Sequence, residues 1–67
     1  MNYNYLYVLD FNLGEINEIK LDEIDKQKMD NDELDVADLL KEYGLHIAMC
    51  NYMFTENKIE VETIKKL

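Results

Sequence analysis

The chain of 67 residues contains no Arg, Ser, Pro or Trp, and it has only one Cys and two Gly. Without Ser there is no serine nucleophile, and two Gly are too few for a glycine-rich phosphate loop. Cys50 has no partner for an intrachain disulfide. One unpaired Cys, and an N-terminus that lacks the basic region of a secretory signal, predict a cytoplasmic protein.

The absence of Arg accompanies an excess of acid. Seven Lys stand against fifteen Asp and Glu, for a formal net charge of −8. Arg is the usual residue for bidentate contacts to phosphate and guanine, and a strongly negative chain is repelled by nucleic acid and anionic lipid. No apolar run approaches the roughly 18 residues of a transmembrane helix. We therefore expect no direct nucleic-acid binding and no membrane binding, and a protein partner with a basic surface.

The first third of the chain has the pattern of a β-hairpin. Tyr3–Phe11 alternates with a period of two and is rich in aromatic and β-branched residues, which favours a strand. Residues 12–14, Asn-Leu-Gly, suit a three-residue hairpin loop with Gly14 at positive φ. Glu15–Leu21 is the predicted return strand, and because Ile16 is out of phase with the apolar residues after it, we expect a bulge there.

The rest of the chain has one clear helical pattern and a second hairpin pattern. In Asp35–Tyr43 apolar residues recur at the spacing of one helix face, with Asp35 as the N-cap and Gly44 as the residue that ends the helix. His46–Glu56 is apolar on both faces, as in a central strand. A tight turn then leads to a predicted strand at Ile59–Ile64.

These patterns predict a single small α+β domain over residues 1–67, in the order ββαββ. Its sheet is mainly antiparallel and four-stranded, with one helix, at about residues 35–43, packed on one face. Asp22–Met29 is polar and poorly periodic, and it suits a short helical turn capped by Asp22 and a solvated connection equally well.

Neither metal binding nor catalysis is predicted. Read as a calcium loop from Asp30, the sequence has Leu34 at the fifth position, Asp35 where Gly is needed and Lys41 where Glu is needed. His46 and Cys50 would lie about 13 Å apart on a strand, too far for a shared metal or a nucleophile–base pair. We expect a non-enzymatic protein with no cofactor.

Acidic residues offer the sharpest functional hypothesis. Glu60 and Glu62 would project about 6.6 Å apart from one strand face, a spacing similar to that of nucleic-acid charges. Small acidic proteins can occupy basic grooves in this manner, so the chain is predicted to be a protein-interaction module and, in a more specific version, an inhibitor that mimics nucleic-acid charge. A solvated surface that only keeps the protein soluble is the alternative reading. The predicted partner-binding residues are Asp30, Asp32, Glu33, Asp38, Glu42, Glu56, Glu60 and Glu62.

Aromatic residues suggest a second surface. One short helix does not cover both faces of a four-stranded sheet, and large exposed apolar areas usually mark interfaces. A competing interpretation is therefore a small structural homodimer of unknown role with no regulated partner. The predicted interface residues are Tyr3, Tyr5, Tyr7, Tyr52 and Phe54.

Overall fold

A computed structural model describes residues 1–62 of the chain. The elements follow the order ββααβ. Strands β1 and β2 form a hairpin, helices α1 and α2 follow, and strand β3 is preceded by a single 3₁₀ turn at Ile47–Met49. The bounds are Tyr5–Asp10 for β1, Glu15–Lys20 for β2, Glu23–Asp30 for α1, Val36–Glu42 for α2 and Cys50–Thr55 for β3.

The sheet has three antiparallel strands in the order β2-β1-β3, so the predicted four-stranded sheet is wrong. Residues 59–62 of the predicted fourth strand, Ile59–Ile64, are not in a strand, and residues 63 and 64 lie outside the described part. The N–H of Ile59 donates to the hydroxyl of Tyr7 at 3.1 Å. This contact takes the chain across one face of the sheet, whereas a fourth strand would run beside β3.

The two helices cover one face of the sheet, which we call the helix face. Leu6 and Val8 of β1 are fully buried on this face, and they share a core cluster with Leu39 and Leu40 of α2. The opposite face, the open face, carries Tyr5, Tyr7 and Leu9 of β1 with their neighbours on β2 and β3. The other buried members of the core are Ile19, Leu21, Leu45 and Cys50.

The prediction of a single helix is also wrong, because the polar segment after Asp22 forms the whole of α1. Asp22 is the N-cap, and its Oδ1 accepts the N–H of Asp25 at 2.7 Å. Glu23 and Asp25 lie in the first turn, where the positive end of the helix dipole favours acids. No side chain of α1 is fully buried, and Met29 is half-buried against the core. Because α1 has so few apolar contacts with the core, its sequence lacks the hydrophobic periodicity that predicts a helix.

Helix α2 confirms the helix predicted at about residues 35–43 and both of its ends. The Oδ1 of Asp35 accepts the N–H of Asp38 at 2.8 Å. At the other end Gly44 has φ +74°, and the N–H of Leu45 donates to the carbonyl of Leu40 at 2.9 Å. This is the hydrogen bond of a Schellman motif, which satisfies a helix carbonyl that has no partner within the helix.

The hairpin turn has four residues, 11–14, because Asp10 stands opposite Glu15. Gly14 has the predicted positive φ, +65°. The loop is ordered by Asp10, whose Oδ1 accepts the N–H groups of Asn12 and Leu13 at 2.9 and 3.2 Å. The expected bulge is absent from the β1–β2 pairing, which runs without interruption from Tyr5 to Asp10.

Replacing Asp10 with Ala is expected to lower the free energy of unfolding by about 1–2 kcal/mol, because the N–H groups of Asn12 and Leu13 lose a charged acceptor. Asp10→Asn is the matched control, since its amide oxygen still accepts both hydrogen bonds. Urea denaturation followed by circular dichroism measures the difference. Equal losses in the two variants would contradict the role assigned to this oxygen.

Candidate acidic interaction surface

The acidic stretch 30–38 forms the connection between the two helices, and α1 ends inside it. The N–H of Glu33 donates to the carbonyl of Lys28 at 2.8 Å, and that of Asp32 to the carbonyl of Met29 at 3.2 Å. These two bonds define a Schellman motif with Asp32 in the position that Gly usually holds. Asp32 has φ +58°, in the left-handed region. Two helix caps therefore order the connection.

Some acids of this surface are explained by helix formation and others are not. Asp38 lies in the first turn of α2, at the positive end of the dipole. Asp30 and Glu42 are the last residues of α1 and α2, and Asp32 lies just beyond α1. At these positions the carboxylates face the negative end of a helix, which disfavours them.

Few cations compensate these charges. The ammonium of Met1 lies 2.6 Å from Oδ2 of Asp30. Within residues 1–62, Asp32, Glu33 and Glu42 form no ion pair. Asp38 and Glu42 are four residues apart on α2, so these like charges lie on the same side of the helix. The helix-side acids, all of them exposed, are Asp30, Asp32, Glu33, Asp38 and Glu42.

The other predicted acids lie elsewhere on the chain. Glu56 follows the last residue of β3, and its carbonyl accepts a hydrogen bond from Asn4 Nδ2 at 2.8 Å. Glu60 and Glu62 follow Ile59, where the chain crosses the open face of the sheet. Neither residue lies in a strand, although the predicted spacing assumed one. We call these three exposed residues the tail-side acids; they belong to the segment after β3, whereas the other predicted acids belong to the helices and the connection between them.

Tyr7 anchors the segment that carries the tail-side acids. Its ring is buried on the open face, and its hydroxyl donates to Glu18 Oε2 at 3.0 Å while accepting the N–H of Ile59. Burial raises the pKa of Tyr7 above its ordinary value; the Ile59 N–H acts in the opposite direction, and Glu18 adds to the increase. Lys58 Nζ lies 3.8 Å from Glu18 Oε2, so Glu18 contacts both Tyr7 and this segment.

The five predicted interface aromatics fall into two groups on opposite faces. Tyr5 and Tyr7 stack on the open face, with ring centroids 6.1 Å apart. On the helix face the ring of Phe54 lies 5.8 Å from that of Tyr3 and 6.0 Å from that of Tyr52. Tyr7 is buried, whereas Tyr3 and Tyr52 are 45% and 44% exposed. A single continuous aromatic face is therefore not present.

Sequence reasoning missed an apolar patch at the hairpin end of the open face. Leu9 and Ile16 stand opposite each other, and they are 40% and 60% exposed. Phe11 and Leu13 of the turn are also exposed. The sequence does hold a sign of this patch, because Ile16 is out of phase with Ile19 and Leu21. In a strand without a bulge, its side chain lies on the face opposite to the core.

His46 and Cys50 lie closer together than the predicted strand would allow, because a 3₁₀ turn at Ile47–Met49 separates them. Both line a depression of about 230 Å³ that also contacts Asp10. Within residues 1–62 no hydrogen bond joins the three side chains, and Asp10 is engaged with the turn. In that same range no three His, Cys, Asp or Glu side chains are grouped closely enough to hold a metal.

No protein-family model, curated protein or solved structure matches this chain. In the described residues, no helix has the length and apolar character needed to span a bilayer. The site is therefore interpreted from its own geometry and charge.

Asp32→Gly is expected to raise the free energy of unfolding by about 0.5–1 kcal/mol. Gly takes a positive φ without a Cβ clash, and the change removes a negative charge from the end of α1. Asp32→Asn removes only the charge and should give part of the gain, whereas Asp32→Ala should be less stable than either. Chemical denaturation ranks the four proteins, and an Asp32→Gly protein no more stable than the parent would refute the assignment.

Tyr7→Phe is expected to release the segment around Ile59, because both hydrogen bonds to the hydroxyl are lost. Hydrogen exchange at the Ile59 amide should become faster.

The raised pKa of Tyr7 in the folded state stabilises the fold at pH values below the ordinary pKa, about 10. That contribution is lost as the pH rises through the folded-state value. As the pH rises above about 10, the parent protein should therefore lose more stability than Tyr7→Phe. Equal losses would show that Tyr7 is not the group responsible.

Proposed function

We propose that this protein is a non-enzymatic, acidic protein-interaction module, and that its helix-side acids occupy a basic site on a nucleic-acid-binding protein. In this role it acts as an inhibitor that competes with nucleic acid by presenting carboxylates in place of phosphates. The placement of Asp32 and Glu42 carries the proposal. Both are exposed acids beside negative helix ends, where folding disfavours them.

The electrostatics favour a basic partner. A formal net charge of −8 on 67 residues produces a field that attracts positive surfaces and accelerates their encounter. Because exposed charges are screened over about 10 Å at 0.1 M salt, such binding depends strongly on ionic strength. The caps at both ends of the connection hold the carboxylates of Asp32, Glu33 and Asp38 on an ordered backbone. An ordered acidic surface loses less conformational entropy on binding than a flexible acidic tail does.

Two matched triple variants test the proposal. The first is Asp32→Asn, Glu33→Gln, Glu42→Gln, and the second is Glu56→Gln, Glu60→Gln, Glu62→Gln. Each removes three negative charges, so any effect of net charge alone is the same in both. Binding to a panel of purified basic nucleic-acid-binding proteins is measured by calorimetry, with a DNA duplex as competitor.

The expected result is a complex that duplex DNA displaces and that weakens at least about tenfold between about 50 and 200 mM salt. The helix-side variant should lose most of this affinity, while the tail-side variant retains it. Equal weakening of both variants would indicate a general charge effect. Salt-insensitive binding, or a loss confined to the tail-side variant, would refute the proposal.

The alternative function, a structural homodimer with no regulated partner, is favoured by the exposed aromatic residues Tyr3 and Tyr52. It differs in one measurable respect. A purely structural dimer binds no basic protein in the panel at any salt concentration.

A further inference from the structure

We propose that the free edge of β3 pairs with the β3 strand of a second copy of this chain, in antiparallel orientation about a two-fold axis. The two three-stranded sheets would then form one continuous sheet of six strands. This inference is independent of the proposed function, since it concerns neither group of acids.

The backbone of β3 has hydrogen-bonding groups available at this edge. β3 pairs with β1 on one side, and in the order β2-β1-β3 no strand of residues 1–62 pairs with its other side. The N–H of Phe11 donates to the carbonyl of Met49, and residues of an antiparallel strand alternate between bonding to the two sides. Asn51 and Met53 therefore bond to β1, whereas Tyr52 and Phe54 direct their N–H and C=O groups outward. Within residues 1–62 no other backbone group bonds to these two residues.

The side chains at this edge lack the features that usually prevent pairing. Edge strands are commonly protected by charged residues, Pro or bulges. The other edge strand, β2, carries Glu15, Glu18 and Lys20. β3, with the sequence CNYMFT, carries no charge and no Pro, and its pairing with β1 has no bulge. It also belongs to an uncharged run, residues 43–55, that contains no Asp, Glu or Lys.

A second copy of this chain fits this edge because the strand that it would contribute, β3, carries no charge. Two chains of formal charge −8 repel one another over most of their surfaces, and the repulsion is smallest where uncharged segments meet. A two-fold axis at Tyr52 places this residue opposite its own equivalent and Phe54 opposite Cys50 of the second copy. No like charges then face each other across the new strand pair. The aromatic row, in which Phe54 stacks on Tyr3 and meets Tyr52 edge to face, would continue across the axis, and cross-strand aromatic pairs stabilise sheets.

Sedimentation equilibrium with single Tyr52 variants tests the inference. The parent protein should approach twice the chain mass of 8.0 kDa at concentrations of about 100 µM. Tyr52→Lys places two ammonium groups at the axis and should give the monomer mass. Tyr43→Lys is the matched control: it changes charge equally at an exposed Tyr on the end of α2 and should remain dimeric.

Tyr52→Glu provides a second, complementary test. Alone it should be monomeric, but an equimolar mixture with Tyr52→Lys should recover the dimer mass, because opposite charges then meet at the axis. Hydrogen exchange at the Tyr52 and Phe54 amides should slow with rising concentration in the parent protein. A parent protein that stays monomeric, a Tyr52→Lys dimer as stable as the parent's, or a mixture that does not associate would each overturn the proposal.

Discussion

The contact of Leu6 and Val8 of β1 with Leu39 and Leu40 of α2 is the interaction on which the rest of the fold depends. These four residues are fully buried, and together they join the central strand to the better packed of the two helices. Removing one such Leu side chain costs about 2–5 kcal/mol, comparable to the whole stability of a domain this small. The other elements pack around this contact and contribute the remaining buried residues, Ile19, Leu21, Leu45 and Cys50.

Outside this core, order comes mainly from hydrogen bonds at the ends of elements. α1 has no fully buried side chain, yet it is capped by Asp22 at one end and by a Schellman motif at the other. Asp10 orders the hairpin turn and Asp35 begins α2 in a similar way. Several acids therefore serve the fold directly. Those that do not, above all Asp32 and Glu42, are the residues on which a functional interpretation of the charge rests.

Features set by local sequence were predictable. The hairpin, the helix after Asp35 and its ending at Gly44 follow from short-range patterns, and all three are present. α1 was not predictable from periodicity because its apolar face is nearly absent. The predicted fourth strand failed because the alternation after Lys58 says nothing about the long-range contact between Ile59 and Tyr7.

The candidate surfaces likewise combine features that local sequence predicts with features that long-range contacts determine. Composition and spacing pointed to clustered acids and aromatics, but not to the face on which each lies. The register of β3, which pairs Met53 with Tyr7, and the crossing of the open face at Ile59 decide this. The predicted acids remain two groups on separate segments of the chain, but Glu60 and Glu62 do not lie in a strand.

The position of β1 in the sheet has a consequence for how the chain folds. The central strand comes first in the chain, but its second neighbour comes last: Asp10 pairs with Cys50, 40 residues later. The β1–β2 hairpin closes quickly because its contacts are local, while the β1–β3 pairing must close a long loop. Until β3 arrives, one side of an apolar strand remains unpaired in the folding chain. Unpaired strands are prone to aggregate during that interval. Resistance to aggregation in this protein therefore depends on the rate at which β3 docks as well as on the stability of the folded state.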